Sequence, residues 1–141
     1  MSFISPEQLA TSAKAEYENL QAKIANAPLS PKDRMAIPQQ EMPVREPLER
    51  ARLMSEVAVG YTAEQAIVEA NRCLQCKNAP CVSGCPVNVP IPQFLAEVAK
   101  GEFKNAVDII KTTNLLPAIC GRVCPQEKQC QGQCKIGRAH V

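Results

Sequence analysis

Apolar positions recur along this chain mostly at helical spacing, and the first such run opens at Ser5-Pro6-Glu7-Gln8. Ser5 can cap a helix, Pro6 suits its first turn, and Gln8 can reach back as in a capping box. Leu9, Ala13, Tyr17, Leu20 and Ile24 follow at the spacing of one helical face. The periodicity then stops at Pro28, Pro31, Pro38, Pro43 and Pro47, each of which removes a backbone donor and restricts the residue before it. Such spacing predicts an extended strap with no long regular element. Thr62-Ala63-Glu64-Gln65 repeats the capping-box pattern, and Ala63, Ile67, Ala70 and Leu74 run an apolar stripe into the first cysteines. Pro92 opens a further helix with Phe94, Leu95 and Val98 inward, Gly101 ends it, and Phe103, Ala106, Val107 and Ile110 mark another. The expected fold class is all-α: a small helical domain behind an N-terminal helix and a Pro-rich strap.

Composition changes this picture in two respects. A chain of 141 residues has room for one domain, yet its aromatics are only Phe3, Tyr17, Tyr61, Phe94 and Phe103, with no Trp. The core is expected to be thin or supplemented. The formal net charge of +2 comes from Lys and Arg scattered among Asp and Glu, with no basic block, so nucleic acid is a poor partner. The N-terminus lacks a charged n-region and an apolar h-region, and no apolar run is long enough to span a membrane. A cytoplasmic location is expected. The six glycines form neither G-x-G-x-x-G nor a P-loop, so no nucleotide site is expected within this chain.

The eight cysteines are the main chemical signal, because in a reducing compartment their number and spacing point to metal before disulfides. The first group, Cys73, Cys76, Cys81 and Cys85, is spaced C-x2-C-x4-C-x3-C-P, and the second, Cys120, Cys124, Cys130 and Cys134, is spaced C-x3-C-P-x4-C-x3-C. A cubic Fe–S cluster needs thiolates converging from several directions, and a tight loop supplies three of the four most readily. Two-cluster bacterial ferredoxins use C-x2-C-x2-C-x3-C-P, whose fourth Cys ligates the other cluster while Pro turns the chain away. Cys85-Pro86 has that form, with a first loop two residues longer.

By this logic Cys73, Cys76 and Cys81 bind one 4Fe-4S cluster whose fourth ligand returns from the second group at Cys134. Cys85 crosses over to join Cys124 and Cys130 on a second 4Fe-4S cluster. Cys120 is then the fourth ligand or a buried thiol beside it, and counting favours the ligand role. The paired cysteines could instead close zinc sites and make a Zn-stabilised interaction module, but zinc knuckles do not call for two Cys-Pro steps. A disulfide framework lacks an export signal. A redox-active pair at Cys73 and Cys76 would leave six cysteines unexplained. Two clusters would also supplement the thin core, so that without iron residues 73–134 are expected to be largely disordered.

From Val57 to Cys134 the sequence resembles a known family. Ala58-Val-Gly-Tyr-Thr-Ala-Glu-Gln-Ala, Arg72-Cys-Leu-Gln-Cys-Lys-Asn-Ala-Pro-Cys, Gly84-Cys-Pro-Val and Asn114-Leu-Leu-Pro-Ala-Ile-Cys-Gly-Arg-Val-Cys-Pro-Gln-Glu are similar to the N-terminal Fe–S domain of glutamate synthase small (β) subunits. Similar domains occur in dihydropyrimidine dehydrogenase and in the NADPH-binding subunit of electron-bifurcating transhydrogenase. The resemblance implies a helical domain with two 4Fe-4S clusters that relays electrons from NADPH and FAD, held in downstream domains, to a flavin in the large subunit for glutamate synthesis. It implies partners in that large subunit or an equivalent flavoprotein, and an enzyme that this fragment cannot be by itself. In the dehydrogenase relatives one cluster takes a non-cysteine ligand from beyond the second group, and the position matching Cys120 does not ligate.

Residues 1–56 are thus read as N-terminal helix and Pro-rich extension, 57–135 as the two-cluster helical domain, and 136–141 as an artefactual tail. The tail, Ile136-Gly-Arg-Ala-His-Val141, equals the translation of ATC GGA AGA GCA CAC GTC, a segment of a common sequencing adapter. His140 is therefore not expected to be a ligand or a base. Arg122 and Lys77 can offset the charge of a thiolate-ligated cluster, although solvated loop charges are the commoner case. Glu97, Glu102 and Asp108 belong to exposed faces, so no acid–base catalytic site is expected. Met35, Met42 and Met54 are expected to fill gaps within the chain.

Overall fold

The computed structural model describes residues 3–136. His140 and the rest of the expected tail beyond Ile136 lie outside the described residues. Among the described residues the regular structure is helical apart from an isolated antiparallel bridge between Val44 and Ala58. No helix among them is long and apolar enough to cross a membrane. The chain divides into two compact units, residues 1–72 and 73–141.

The first unit is built on α1 (Pro6–Asn26) and α4 (Ala63–Asn71), which pack against each other. Both begin as the sequence pattern predicts. Ser5 Oγ accepts the Gln8 N–H while Gln8 Oε1 accepts the Ser5 N–H, and Thr62 and Gln65 form the same reciprocal pair. Ala13 and Leu20 of α1 and Ile67, Val68 and Ala70 of α4 form the buried apolar core. Gln65 is as buried as Val68, because its amide both closes the cap and donates to the Glu41 carbonyl at 3.4 Å.

Between them the Pro-rich strap is not wholly extended. It holds two short helices, α2 (Pro31–Ala36) and α3 (Pro47–Arg50), each with proline in the first turn, where a missing N–H costs nothing. Ser30 and Asp33 give α2 a capping box, and Glu46 caps α3. Gln40 ties the strap down: its N–H donates to Glu69 at 2.9 Å, and its carbonyl accepts from the Tyr61 hydroxyl at 2.8 Å. Met35, Met42 and Met54 do not fill gaps as expected; all three are exposed, Met54 fully so.

The second unit comprises α5 (Pro80–Ser83), α6 (Ile91–Ala99), α7 (Phe103–Lys111), α8 (Pro117–Val123), a 3-10 turn (Gln126–Lys128) and α9 (Cys130–Gln133). The expected helices α6 and α7 pack on each other, and Gly101 between them takes φ 84°, a left-handed turn open to glycine at little cost. On α7 only Ala106 is buried, while Phe103 and Val107 stay exposed. Glu97 pairs with Lys100 and Asp108 with Lys104 at the surface. Helices α5, α8 and α9 lie inside the cysteine segments, where the apolar pattern predicted none.

Candidate metal centre

Helix α5 carries Cys81 and packs against α9, which begins at Cys130 and is capped at its far end by Cys134. This contact joins cysteine segments that are far apart in sequence, and Gly84 permits it, while Gly132 permits a tight turn within the second segment. A Cβ on Gly84 would stand 2.8 Å from Gln133 Cγ and 2.9 Å from the Gln129 carbonyl oxygen. A Cβ on Gly132 would collide with the Glu127 carbonyl. Both positions therefore demand the smallest residue, and this demand was not read from the sequence.

The thiols gather in two sets. Cys73, Cys76, Cys81 and Cys134 line one cavity with Leu74, Pro80, Pro92, Lys135 and Ile136, around about 300 Å³ of space including its open mouth. Between the first two cysteines Gln75 takes φ 51°, a left-handed turn that costs a non-glycine residue about 1–2 kcal/mol. Burial pushes the Cys81 thiol above its ordinary value, and the neighbouring Cys134 and Cys73 push it further. Ile136, the first residue of the expected tail, is buried.

Cys85, Cys120, Cys124 and Cys130 form the other set. Desolvation raises the Cys124 thiol, and so do the charge and hydrogen bond of Cys120 and the charges of Cys85 and Cys130. Cys124 caps the C-terminal end of α8 one turn after Cys120, its N–H donating to the Cys120 carbonyl at 3.1 Å. Cys120 Sγ also lies 3.6 Å from Asn114 Oδ1. Cys134 thus stands with thiols of the first segment, and Cys85 beside those of the second.

All eight cysteines are thiols outside any disulfide, and each is partly buried. Among the described residues no three Cys, His, Asp or Glu side chains converge on one point closely enough for a single metal ion. The thiols of the first set instead surround a space. Their chemistry fits a 4Fe-4S cluster, whose irons are held by Cys thiolates, in a lining that is almost wholly apolar apart from the thiols. Lys77 is exposed, and exposed Arg122 donates to the Ala118 carbonyl at 2.8 Å.

Comparison with known proteins agrees with this chemistry. Residues 50–141 match the family described as dihydropyrimidine dehydrogenase domain II, 4Fe-4S cluster. The chain is similar to the glutamate synthase [NADPH] small chains of Halomonas elongata, 40% identical over 62% of this chain and 18% of the relative, and of Azospirillum brasilense, 39% over 69% and 20%. It is also similar to the NAD-dependent dihydropyrimidine dehydrogenase subunit PreT of Salmonella typhimurium, 42% identical over 57% of this chain and 20% of the relative. The chain spans about a fifth of the length of these curated relatives.

Proposed function

The chain belongs to the dihydropyrimidine dehydrogenase domain II family of 4Fe-4S cluster domains, and on that premise we propose that it is the electron-relay domain of an NADPH-dependent glutamate synthase small subunit. The observation that carries this reading is the cavity lined by Cys73, Cys76, Cys81 and Cys134, four thiols drawn from two distant segments. One 4Fe-4S cluster belongs there, and a second belongs among Cys85, Cys124 and Cys130, with Cys120 beside it. Each cluster, when bound, accepts and donates single electrons at a potential set by its charge, hydrogen bonding and exposure.

The residues of this chain hold and orient those groups. Pro80 starts the turn that presents Cys81, the left-handed turn at Gln75 sets Cys76 relative to Cys73, and α8 presents Cys120 and Cys124 one turn apart. FAD and NADPH belong to further domains of the whole enzyme, and the electrons pass on to its large subunit in the cytoplasm. Leu115, Leu116, Ile119 and Val123, on and before α8, are exposed, a surface apolar enough to be covered by another protein. A pyrimidine-reducing enzyme is the second reading, since its relative is 42% identical over 81 residues against 39% over 98 for a glutamate synthase.

Anaerobic reconstitution with iron and sulfide tests the proposal. The expected product is brown, holds about eight irons, four per cluster, and gives a reduced-cluster EPR signal. A colourless protein that retains zinc in place of iron overturns it. Reoxidation of the reduced domain by a glutamate synthase large subunit, and not by a dihydropyrimidine-reducing subunit, separates the two substrate readings.

A further inference from the structure

Asn114 lies between α7 and α8 and is 8% exposed. Its own N–H donates to the Ile110 carbonyl at 3.0 Å, which fixes it to the end of α7. Its side-chain oxygen accepts the Leu116 N–H at 3.0 Å and stands 3.6 Å from Cys120 Sγ. Leu116 in turn is the residue from which α8 departs: its carbonyl accepts the Cys120 N–H at 3.1 Å, and the Cys120 carbonyl accepts that of Cys124. No side chain of the helix boundary itself caps α8. One amide oxygen therefore sets where α8 begins, and through it the direction of Cys120 on that helix and of Cys124 at its C-cap.

We infer that Asn114 is a positioning residue for the second cluster, holding the start of α8 through the Leu116 N–H so that Cys124, at the far end of that helix, faces its metal centre. The inference rests on the two-cluster reading above. It does not depend on whether Cys120 itself binds iron, because Cys124 is placed through the same helix. Hydrogen-bonded partners that orient metal ligands are worth about 10–100-fold in metal affinity. Loss of this contact should therefore weaken one cluster and spare the other.

The test is iron release from the reconstituted chain into an excess of ferrous chelator, followed with the EPR signal of each cluster. Cys134→Ser and Cys85→Ser identify which phase belongs to the first and which to the second cluster. Asn114→Ala is expected to speed the second cluster's release about 10–100-fold and to leave the first cluster's rate unchanged. Asn114→Asp keeps the acceptor oxygen, so it retains the parent's slow release, while its added carboxylate lowers the potential of the second cluster alone. Equal acceleration of both phases, or no acceleration, in Asn114→Ala overturns the inference, as does failure of Asn114→Asp to retain slow release. A parent protein that holds zinc instead of iron overturns the relay reading and this inference with it; a fully loaded parent with an indistinguishable Asn114→Ala form overturns the inference alone.

Discussion

In residues 1–72 every helix starts on a side-chain cap, from Ser5, Ser30, Glu46 and Thr62, whereas among the described residues of the second unit no helix does. The first unit buries Ala13, Leu20, Ile67, Val68 and Ala70 beside the satisfied amide of Gln65. Among its described residues the second buries only Val89, Ala106 and Ile136 as apolar side chains. Its helices α5, α8 and α9 have four to seven residues, far below the length at which a helix persists unsupported. One unit is organised by local backbone chemistry and a small dry core. The other is organised around its eight thiols, and folding there should be coupled to metal.

Iron removal breaks this comparison most severely if it is wrong. On chelation, residues 73–134 are expected to lose amide-exchange protection, while α1 and α4 keep theirs. Hydrogen exchange read segment by segment gives the answer. Retained protection in α5, α8 and α9 of the iron-free protein would show that the second unit, like the first, stands without metal.

A smaller change separates the two sets of thiols. Cys85→Ser should remove the cluster shared with Cys124 and Cys130, and Cys134→Ser the one shared with Cys73, Cys76 and Cys81. Each should lower bound iron from about eight to about four per chain. The EPR features lost in one variant should be those kept in the other. If both variants lose the same features, the crossed arrangement is wrong.

Gly132→Ala tests the tight turn inside the second cysteine segment that presents Cys130 and Cys134. Its Cβ meets the backbone of Glu127, which cannot rotate aside as a side-chain tip can. Overpacking of this kind costs about 1–3 kcal/mol. Since Gly132 lies between Cys130 and Cys134, which stand in different sets, both clusters should be less stable, read as a lower denaturant midpoint for loss of the visible absorption. Gly121→Ala, with nothing near its Cβ, is the matched control, and it should leave that midpoint close to the parent's.

Much of the first unit was legible in the sequence because its signals are local. Ser5 with Gln8, and Thr62 with Gln65, name their helices within four residues. Ser30 with Asp33 carries the same signal, but the surrounding prolines read as breakers although Pro31 and Pro47 open helices. In the second unit α6 and α7 were legible from apolar spacing and Gly101. Helices α5, α8 and α9 were not, since so few residues complete no amphipathic period. That Cys134 neighbours the first thiols and Cys85 the second was expected from the Cys85-Pro86 step and the cysteine spacing. Gly84, Gly132 and Asn114 gave no such mark. Gly84 answers to a close approach between distant segments, Gly132 to a tight turn onto Glu127, and Asn114 to an Asx-type turn whose meaning depends on where Cys120 lies.

The smallest expected effect belongs to the first unit and closes the comparison from its side. Thr62→Ala removes the oxygen that accepts the Gln65 N–H at 3.2 Å and leaves Gln65 Oε1 on the Thr62 N–H. Loss of an N-cap typically costs about 1 kcal/mol. Thermal unfolding followed by helical CD should report that loss. Bound iron and its release rate should not change, because no thiol is placed by this cap and Cys73 lies beyond the far end of α4. Were Thr62→Ala to release iron faster, the two units would share one cooperative unfolding transition, and the local stability of residues 1–72 would depend on metal as much as the cysteine unit does.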